Sequence, residues 1–285
     1  LNDWADAIAI RLKADATAAR SLYAVCMEPS VKLIATLVGV LRAGAGYLLL
    51  DPGLPEEQRN LMVTESNAGA ILTDRWLAAV HSPTDAAVLE IGDLGPAGRR
   101  DSLAESPIDA ESLCNVDFAV YGDGTSGAIA VSHVAAHNSV AALREDLMVG
   151  RVDTVLSLRS EIFRTPLVEL WLPLTAGARL VIAPENIEDN GARLSSLIAA
   201  ERATFMHARP RTWKRLIETG MRSTRGLRAV SGGETLSVAL AGLLLDRCRV
   251  VWNAYGMPET GGYCTLGRVE DRGRVTIGRP LANTQ

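Results

Sequence analysis

This sequence is poor in the residue types that mark several common classes of protein. Aromatic residues make up 5% of its 285 residues, and it contains four histidines and four cysteines. The cysteines show no C-x-x-C pair and no dense spacing (Cys26, Cys114, Cys248 and Cys264). This spacing excludes a disulfide scaffold and predicts buried thiols in a reducing compartment, which we expect to be the cytoplasm.

Long apolar runs and an excess of positive charge are also missing. The longest apolar run, residues 33–41, is interrupted by Thr36 and followed by Arg42, so it is too short to cross a bilayer. The 29 basic and 33 acidic residues are interspersed, and the net charge is −4. We therefore expect neither a nucleic acid nor a membrane as partner. The sequence begins at Leu1 without Met or a signal-type segment, which predicts a piece of a longer polypeptide.

Apolar strand patterns alternate with amphipathic helix patterns along most of the chain. Ser30 is placed to cap a helix over 31–43, for example, and the apolar segment 47–50 follows as a strand. This alternation predicts an α/β protein with parallel sheets covered by helices on both faces. Residues 81–113 lose the periodicity and gain Pro, Ser, Gly and Asp, which predicts a surface crossing between two lobes.

A glycine-rich loop lies between two short strand patterns over 116–132, which read VDFAVYGDGTSGAIAVS. Glycines let the backbone approach a ligand closely, and hydroxyl side chains add hydrogen-bond donors. Such a loop suits phosphate oxygens. The candidate phosphate-binding residues are Gly124, Thr125, Ser126 and Gly127.

Two other interpretations of this loop stay open. It also spells G-x-G-x-x-G, the dinucleotide fingerprint, with Glu145 at a suitable distance. That fingerprint requires a helix that starts inside the glycine turn, whereas residues 129–132 have the pattern of a strand. A plain glycine hairpin is the third interpretation.

Two further glycine-bearing segments follow predicted strands. Residues 231–235 read SGGET, and residues 253–261 read NAYGMPETG. Ligands of doubly wound sheets bind beyond the carboxyl ends of strands, so the two segments predict a nucleotide cleft. There Tyr255 could stack on a base, and Glu259 could hold a magnesium ion that bridges phosphates. The alternative is a pair of ordinary strand-to-helix turns.

Together these segments resemble the adenylate-forming superfamily, most closely the adenylation domains of nonribosomal peptide synthetases. Residues 38–74 resemble the family segment around LKAGGAYVPLDPxxPxxR, VYGDGTSG resembles the phosphate loop YTSGTTG, and residues 169–185 resemble the substrate-side helix and strand. SGGETL and NAYGMPETG resemble GGEAL and NAYGPTE. The segment IGRPLANTQ resembles IGRPIANTQ and disfavours an acyl-CoA-ligase-like relative outside peptide synthetases.

The resemblance implies a fold and a reaction. The fold is the N-terminal core of an adenylate-forming enzyme, with two lobes of doubly wound, mostly parallel sheet flanked by helices and part of a small β-barrel. We expect the lobes at 1–113 and 114–285, with the family's C-terminal lid beyond Gln285. In the reaction, a carboxylate attacks the α-phosphorus of ATP–Mg, and the acyl group of the resulting adenylate passes to a carrier-protein thiol.

The resemblance also implies site residues and partners. The adenine side of the nucleotide site would be formed by Gly233, Glu234, Thr235, Asn253, Ala254, Tyr255 and Gly256. Glu259 would hold magnesium, and the substrate pocket would contain Phe163, Arg164 and His207. The implied partners are neighbouring condensation and carrier domains, and an MbtH-like protein near residues 43–47.

Several positions depart from the family pattern. No lysine follows the glycine loop, and Asp123 stands where phosphates would come. Pro258 replaces the threonine before the glutamate, and Arg164 replaces the aspartate that anchors an ammonium group. Each lost charge-assisted hydrogen bond would cost about 1.5–3 kcal/mol, or about ten- to a hundredfold in affinity. The sequence therefore favours a degenerate adenylation domain that acts as a structural platform. The alternative is an active domain whose missing parts follow Gln285.

The sequence contains two weaker candidate sites. His133 and His137 lie four residues apart, as metal ligands on one helical face can, but no third ligand is apparent nearby. A basic cluster on or before a predicted helix is either a solvated face or a carrier-protein contact: Arg209, Arg211, Lys214 and Arg215.

Overall fold

The computed structural model describes residues 1–14, 21–74, 86–96, 108–120, 126–221 and 224–284. These residues form two compact units, Leu1–Ala136 and His137–Gln285, each with its own sheet. The division falls after Ala136 rather than near residue 113, because the strands over 113–132 pair with the first sheet. Within the described ranges, no helix has both the length and the apolar character that a bilayer crossing requires.

Unit 1 contains a six-stranded sheet. Its strands are β1 (Leu22–Cys26), β2 (Gly46–Leu50), β3 (Ala70–Thr73), β4 (Ala87–Glu90), β5 (Leu113–Val120) and β6 (Ser126–Ser132). The spatial order is β4-β3-β1-β2-β5-β6, and every pairing is parallel except that of β5 with β6. The helices that begin in this unit are α1 (Asn2–Ala14), α2 (Val31–Arg42), α3 (Glu56–Ser66) and α4 (His133–Asp146).

Local sequence signals account for most of unit 1. The hydroxyl of Ser30 accepts a hydrogen bond from the Leu33 amide at 3.1 Å, so Ser30 caps α2 as predicted. Strands β1 and β2 are buried along their whole length, as continuous apolar runs in a parallel sheet should be. The prediction was wrong at β4, which lies inside the predicted surface crossing. This strand is mostly exposed at the sheet edge, so it lacks the apolar signature of its neighbours.

Unit 2 contains a seven-stranded sheet. Its strands are β7 (Thr154–Ser157), β8 (Arg179–Ile182), β9 (Phe205–Ala208), β10 (Thr224–Gly232), β11 (Cys248–Met257), β12 (Gly262–Arg268) and β13 (Arg279–Pro280). The spatial order is β13-β12-β11-β10-β9-β7-β8. Strands β7 to β11 are parallel, and β12 and β13 are added in antiparallel pairing. The helical segments are α5 (Arg159–Ile162), a π-helical segment (Leu167–Trp171), α6 (Leu172–Ala176), α7 (Gly191–Ala200), α8 (Pro210–Glu218) and α9 (Val238–Leu245).

The sheet of unit 2 buries an apolar cluster on each face. Leu156 and Met206 pack with residues of α7, α8 and α9 on one face. Their neighbours in the strands, Val155 and Phe205, pack with α4 and the π-helical segment on the other face. The doubly wound, helix-covered α/β architecture is thus confirmed. The described strands all belong to the two sheets, so the small β-barrel stays an expectation.

Parts of two segments predicted to follow strands belong to the strands themselves. Residues 231 and 232 complete β10, and residues 253–257 continue β11. Strand β12 pairs with β11 from Trp252 to Met257, and this antiparallel partner extends β11 beyond its apolar run.

Candidate functional site

The chain of unit 2 reverses its direction of travel across the sheet between β7 and β9. From β7 it passes outward to β8, then returns past β7 to β9 and continues through β10 and β11. Ligands of doubly wound sheets bind beyond the carboxyl ends of strands at such a switch point. Helix α5 follows β7 and Arg209 follows β9, so both belong to this crevice.

Three buried side chains form a hydrogen-bonded relay at this point. His207 in β9 is 1% exposed. Its Nδ1 lies 2.8 Å from Oε1 of Glu169, and its Nε2 lies 2.7 Å from the hydroxyl of Tyr263. Glu169 is equally buried, and its Oε2 has no hydrogen-bond partner among the described residues. We call Glu169, His207 and Tyr263 the relay.

Burial and mutual pairing set the protonation of the relay. Burial lowers the pKa of His207, but the hydrogen bond and charge of Glu169, with the charge of Glu161, outweigh it, so the net shift is upward. Burial raises the pKa of Glu169, and the hydrogen bond from His207 offsets only part of this effect. Burial also raises the pKa of Tyr263, which keeps its hydroxyl protonated. The relay can therefore fix the orientation of the imidazole and the phenol.

Tyr263 packs over the end of β10. Its ring meets the His207 ring edge-on, with the centroids 5.5 Å apart and the planes at 69°. A Cβ atom on Gly232 would overlap the Tyr263 hydroxyl and lie 2.8 Å from Cε1 of the ring. Glycine at position 232 is therefore required by the phenol that packs over it.

A buried ion pair lies beside the relay. Nε of Arg209 is 2.8 Å from Oε1 of Glu161, and both side chains are less than a tenth exposed. Ser160 donates a hydrogen bond of 2.6 Å to Oε2 of Glu188. The ion pair holds α5 against the segment that follows β9, and the Ser160 hydrogen bond holds α5 against the turn Ile187–Asp189 after β8.

The predicted basic cluster is not a free positive patch. Arg209 is buried against Glu161, and Nε of Arg211 lies 3.5 Å from Glu234. The remaining pairs are Lys214 with Glu218 at 3.8 Å and Arg215 with Asp189 at 2.5 Å. Because every cation has an acidic neighbour, this cluster gives little support to a carrier-protein contact based on charge.

The predicted adenine-side residues divide into two groups. Gly233, Glu234 and Thr235 are exposed after β10, and Gly233 has the left-handed φ of +75° that favours glycine. The Tyr255 side chain is 44% exposed near the end of β11, so its ring is available for stacking on a base.

The other adenine-side residues hold the strands together. Asn253 is 8% exposed and donates a hydrogen bond to the Thr276 carbonyl at 2.9 Å. Ala254 is buried, and a Cβ on Gly256 would overlap the Gly262 carbonyl. These residues therefore have a structural reason for their identity besides any ligand.

The other predicted substrate-pocket residues lie toward solvent. Phe163 is half-buried, and the Arg159 guanidinium lies 5.3 Å from its ring centroid. Arg164 is exposed and forms no ion pair within the described ranges. The structure thus brings His207, but neither Phe163 nor Arg164, into the buried relay.

No described cluster of three or more His, Cys, Asp or Glu residues has the arrangement of a metal site. His133 and His137 therefore lack the additional ligand that a metal would need in the described part of the chain. Glu259 is exposed in the single turn Pro258–Thr260. One carboxylate fits a magnesium ion only when phosphate oxygens and water supply the other ligands.

The predicted phosphate loop is described only from its second half. Gly124 and Thr125 lie outside the described residues, whereas Ser126 and Gly127 begin β6. Strand β6 runs through the residues where the dinucleotide fingerprint needs a helix, so that interpretation is wrong. The hydroxyl of Ser126 donates its one hydrogen to the carboxylate of Glu65, whose two oxygens lie at 3.2 and 3.0 Å.

Sequence reasoning missed Glu161, Glu169 and Tyr263. A usable signal existed for Glu169, since a carboxylate inside the apolar run LVELWL must find a buried partner. Tyr263 had no such signal, because its role depends on which strand lies beside β11.

Comparison with known proteins gives one consistent result. The family model for AMP-binding enzymes matches residues 1–285. The chain is 29% identical over 294 residues to a dimodular nonribosomal peptide synthase of Bacillus subtilis, covering all of this chain and 12% of that protein.

Two solved structures illustrate the match in fold. A four-domain nonribosomal peptide synthetase bound to AMP and glycine aligns with a TM-score of 0.88 and 25% identity, over 98% of this chain and 21% of that one. The AMPPNP-bound form of the synthetase FmoA3 aligns with a TM-score of 0.82 and 22% identity, over 99% and 31%. The chain spans less than a third of each of these three relatives.

Proposed function

This chain belongs to the family of AMP-binding enzymes, and we propose that it is the adenylation core of a nonribosomal peptide synthetase with lost or impaired use of ATP. In this role it is a structural platform between neighbouring condensation and carrier domains. The observation that carries the loss of activity is the pairing of Ser126 with Glu65.

Glu65 opposes phosphate binding at Ser126. The carboxylate occupies the hydroxyl that a phosphate oxygen would need, and it repels an anion by about 1 kcal/mol at 4 Å in water. Glu65 also lies in the last turn of α3, where the helix dipole adds negative potential. In the sequence, Asp123 stands three positions before Ser126 and no lysine follows the loop, and both features also disfavour phosphate.

The alternative is an active domain that activates an amino acid or another carboxylic acid. The exposed ring of Tyr255 favours this function, because it leaves a stacking surface for adenine. Relatives of the same fold bind AMP with glycine, and AMPPNP. In an active domain, Glu259 would hold magnesium between phosphates, and the cofactors would be ATP and Mg.

Calorimetric titration of ATP–Mg into the folded protein separates the two functions. The platform function predicts no saturable heat up to millimolar ATP. Saturable binding that weakens in Glu259→Ala would contradict it, and substrate-dependent pyrophosphate exchange would then be measured.

Two charge variants test the role of Glu65. Glu65→Gln keeps a hydrogen-bond acceptor but removes the charge, so it should lower the Kd of ATP about fivefold for about 1 kcal/mol. This change should bring binding that is too weak to titrate in the wild type closer to the measurable millimolar range. Glu57→Gln, near the start of the same helix, makes the same charge change and should have little effect. Equal effects of the two variants would show that Glu65 has no local role.

The proposed partners rest on the relatives and on the sequence resemblance. The relatives are multidomain synthetases, which supports neighbouring condensation and carrier domains. For an MbtH-like protein near residues 43–47, the accessible part of that segment is small, since Ala45 to Tyr47 are buried. Co-elution of the chain with an MbtH-like protein in size-exclusion chromatography would test this partner.

A further inference from the structure

A polar cavity of about 260 Å³ lies beside the first two turns of α8 in unit 2. The side chains that line it are all charged or polar: Glu188, Asp189, Arg211, Thr212 and Arg215. The two acids belong to the turn Ile187–Asp189 after β8, and the other three residues belong to α8. The cavity therefore has an acidic wall and a basic wall, and none of the predicted substrate-pocket residues lines it.

The wall formed by α8 contains an enclosed hydroxyl and an uncapped helix start. Thr212 is 6% exposed and lines the cavity, yet its hydroxyl makes no hydrogen bond to any residue that the structure describes. A hydroxyl enclosed to this degree normally has a partner. Arg209, the N-cap of α8, makes no capping hydrogen bond with its side chain. The free N–H groups and the dipole of the helix favour an anionic partner at this end.

Arg211 adds a guanidinium group to the same wall. Its Nε lies 3.5 Å from Glu234, and its side chain is 61% exposed and makes no hydrogen bond within the described ranges. Arg215, in contrast, already binds Asp189 at 2.5 Å. The donors available to a ligand are therefore those of Arg211 and Thr212, and a guanidinium group can hold a carboxylate through two parallel hydrogen bonds.

The opposite wall contains a carboxylate without a cationic partner. The Ser160 hydroxyl donates a hydrogen bond of 2.6 Å to Oε2 of Glu188, and the Ser160 N–H donates one of 3.2 Å to Oε1. Within the described ranges, no Lys or Arg side chain forms an ion pair with Glu188. Each carboxylate oxygen can accept a further hydrogen bond. Glu188 thus favours an ammonium group on this side of the cavity.

We propose that this cavity binds a small polar zwitterion, a molecule with one carboxylate and one ammonium group, of which serine is a representative. Arg211 and Thr212 hold its carboxylate, and Glu188 holds its ammonium group. A simple anion or a simple cation would leave one of the two walls without its counterpart. This inference goes beyond the proposed function and does not require that the chain use ATP.

The class of ligand is tested with L-serine, ethanolamine and 3-hydroxypropanoate. Ethanolamine lacks only the carboxylate of serine, and 3-hydroxypropanoate lacks only its ammonium group. Titration followed by saturation-transfer NMR measures the Kd of each compound for the wild-type protein. Serine should bind saturably and at least about tenfold more tightly than either analogue. Equal binding of serine and one analogue would overturn the proposal, and so would the absence of saturable serine binding.

The position of the site is tested with one variant on each wall. Thr212→Val removes the hydroxyl at similar shape and should raise the Kd of serine about tenfold, whereas Thr212→Ser should bind as the wild type does. Glu188→Gln should abolish the preference for serine over 3-hydroxypropanoate. Glu185→Gln is the matched control, because it makes the same charge change outside the cavity and should keep the preference.

The two variants lie on different elements, so a failure of one to fold leaves the other as the test. Serine binding that neither variant changes would overturn the proposal. Serine held in the predicted substrate pocket would instead weaken in Arg164→Ala, and that result would also overturn it. Failure of ATP binding bears on the proposed function alone, since none of these measurements involves a nucleotide.

Discussion

At the scale of single residues, His207 shows how burial and pairing act on one titratable group. Its imidazole is enclosed, yet Glu169 and the nearby charge of Glu161 raise its pKa above the ordinary 6.5. A raised histidine pKa stabilises the folded state below pH 6.5, and this contribution is lost as the pH rises through the folded pKa. The raised pKa of Glu169 has the same sign, because the folded state then favours the protonated carboxyl group.

We therefore predict that the free energy of unfolding falls as the pH rises above 6.5 and through the folded pKa of His207. The double variant Glu169→Gln/His207→Gln removes both titrations and should flatten this dependence. Urea denaturation at several pH values measures it. An unchanged slope in the double variant would mean that other groups are responsible.

Substitution of two glycines in unit 2 by alanine should change the stability of the protein in opposite directions. Gly256→Ala should destabilise the protein even without nucleotide, because the new Cβ would overlap the Gly262 carbonyl and separate β11 from β12. Gly242→Ala in α9 meets no atom within 4 Å and should stabilise by about 0.5–1 kcal/mol. Thermal unfolding of the two variants tests both signs. A harmless Gly256→Ala would contradict this packing role of the glycine.

At the scale of elements, one arginine joins three segments near the amino-terminal ends of β7 and β9. Arg228 in β10 pairs with Asp153 just before β7, and both side chains are 9% exposed. It also donates hydrogen bonds to the carbonyls of Leu147 and Met148 after α4, at 2.8 and 2.6 Å. Burial raises the pKa of Asp153, but the hydrogen bonds from Gly150, Arg228 and Thr204 outweigh it and lower the pKa overall.

Arg228→Met should destabilise the protein by about 3–5 kcal/mol, because it leaves Asp153 as a buried charge without its partner. Arg215→Met is the control. Its ion pair with Asp189 is at least half exposed on each side, so we expect a loss below about 1 kcal/mol. Urea denaturation at neutral pH compares them, and similar losses would contradict a special role for Arg228.

The same ion pair predicts a response to acid. The lowered pKa of Asp153 contributes stability at pH values above 3.8, and this contribution is lost as the pH falls through the folded pKa. In Arg228→Met this part of the acid dependence should shrink.

At the scale of the whole molecule, the reactivity of the four cysteine thiols can be used to follow the opening of each unit separately. Burial raises the pKa of Cys26 in unit 1 to about 11, and those of Cys114 in unit 1 and Cys248 in unit 2 to about 12. Cys264 is partly exposed, which corrects the prediction that all four thiols are buried. Only thiolates react quickly with alkylating reagents, and buried thiols must first become exposed.

In the native protein, we therefore expect iodoacetamide to label Cys264 first, and the other three cysteines only as their units open. Mass spectrometry of the labelled peptides over a urea series measures each site. Cys264→Ser should abolish the fast phase. Fast labelling of Cys26 or Cys248 without urea would contradict the burial described here.

The sequence by itself determined most of the buried elements and the α/β architecture of each unit, but not the exposed strand β4 or the extension of β11 along β12. The helix cap at Ser30 and the apolar runs of β1 and β2 are local patterns with the period of a helix or the continuity of a buried strand. Such patterns depend on residues a few positions apart, so they can be recognised without the fold. The glycine-rich motifs likewise pointed to the correct family.

Only the tertiary structure decided which candidate residues meet. The relay joins His207 to Glu169 and Tyr263, which lie 38 and 56 positions away in the sequence. The tertiary structure also decided that Tyr255 is exposed whereas Asn253 is buried and holds the strands together. It likewise placed Ser126 beside Glu65. The physical reason is that hydrogen bonds and packing between distant segments depend on strand order and register, and no local period encodes these.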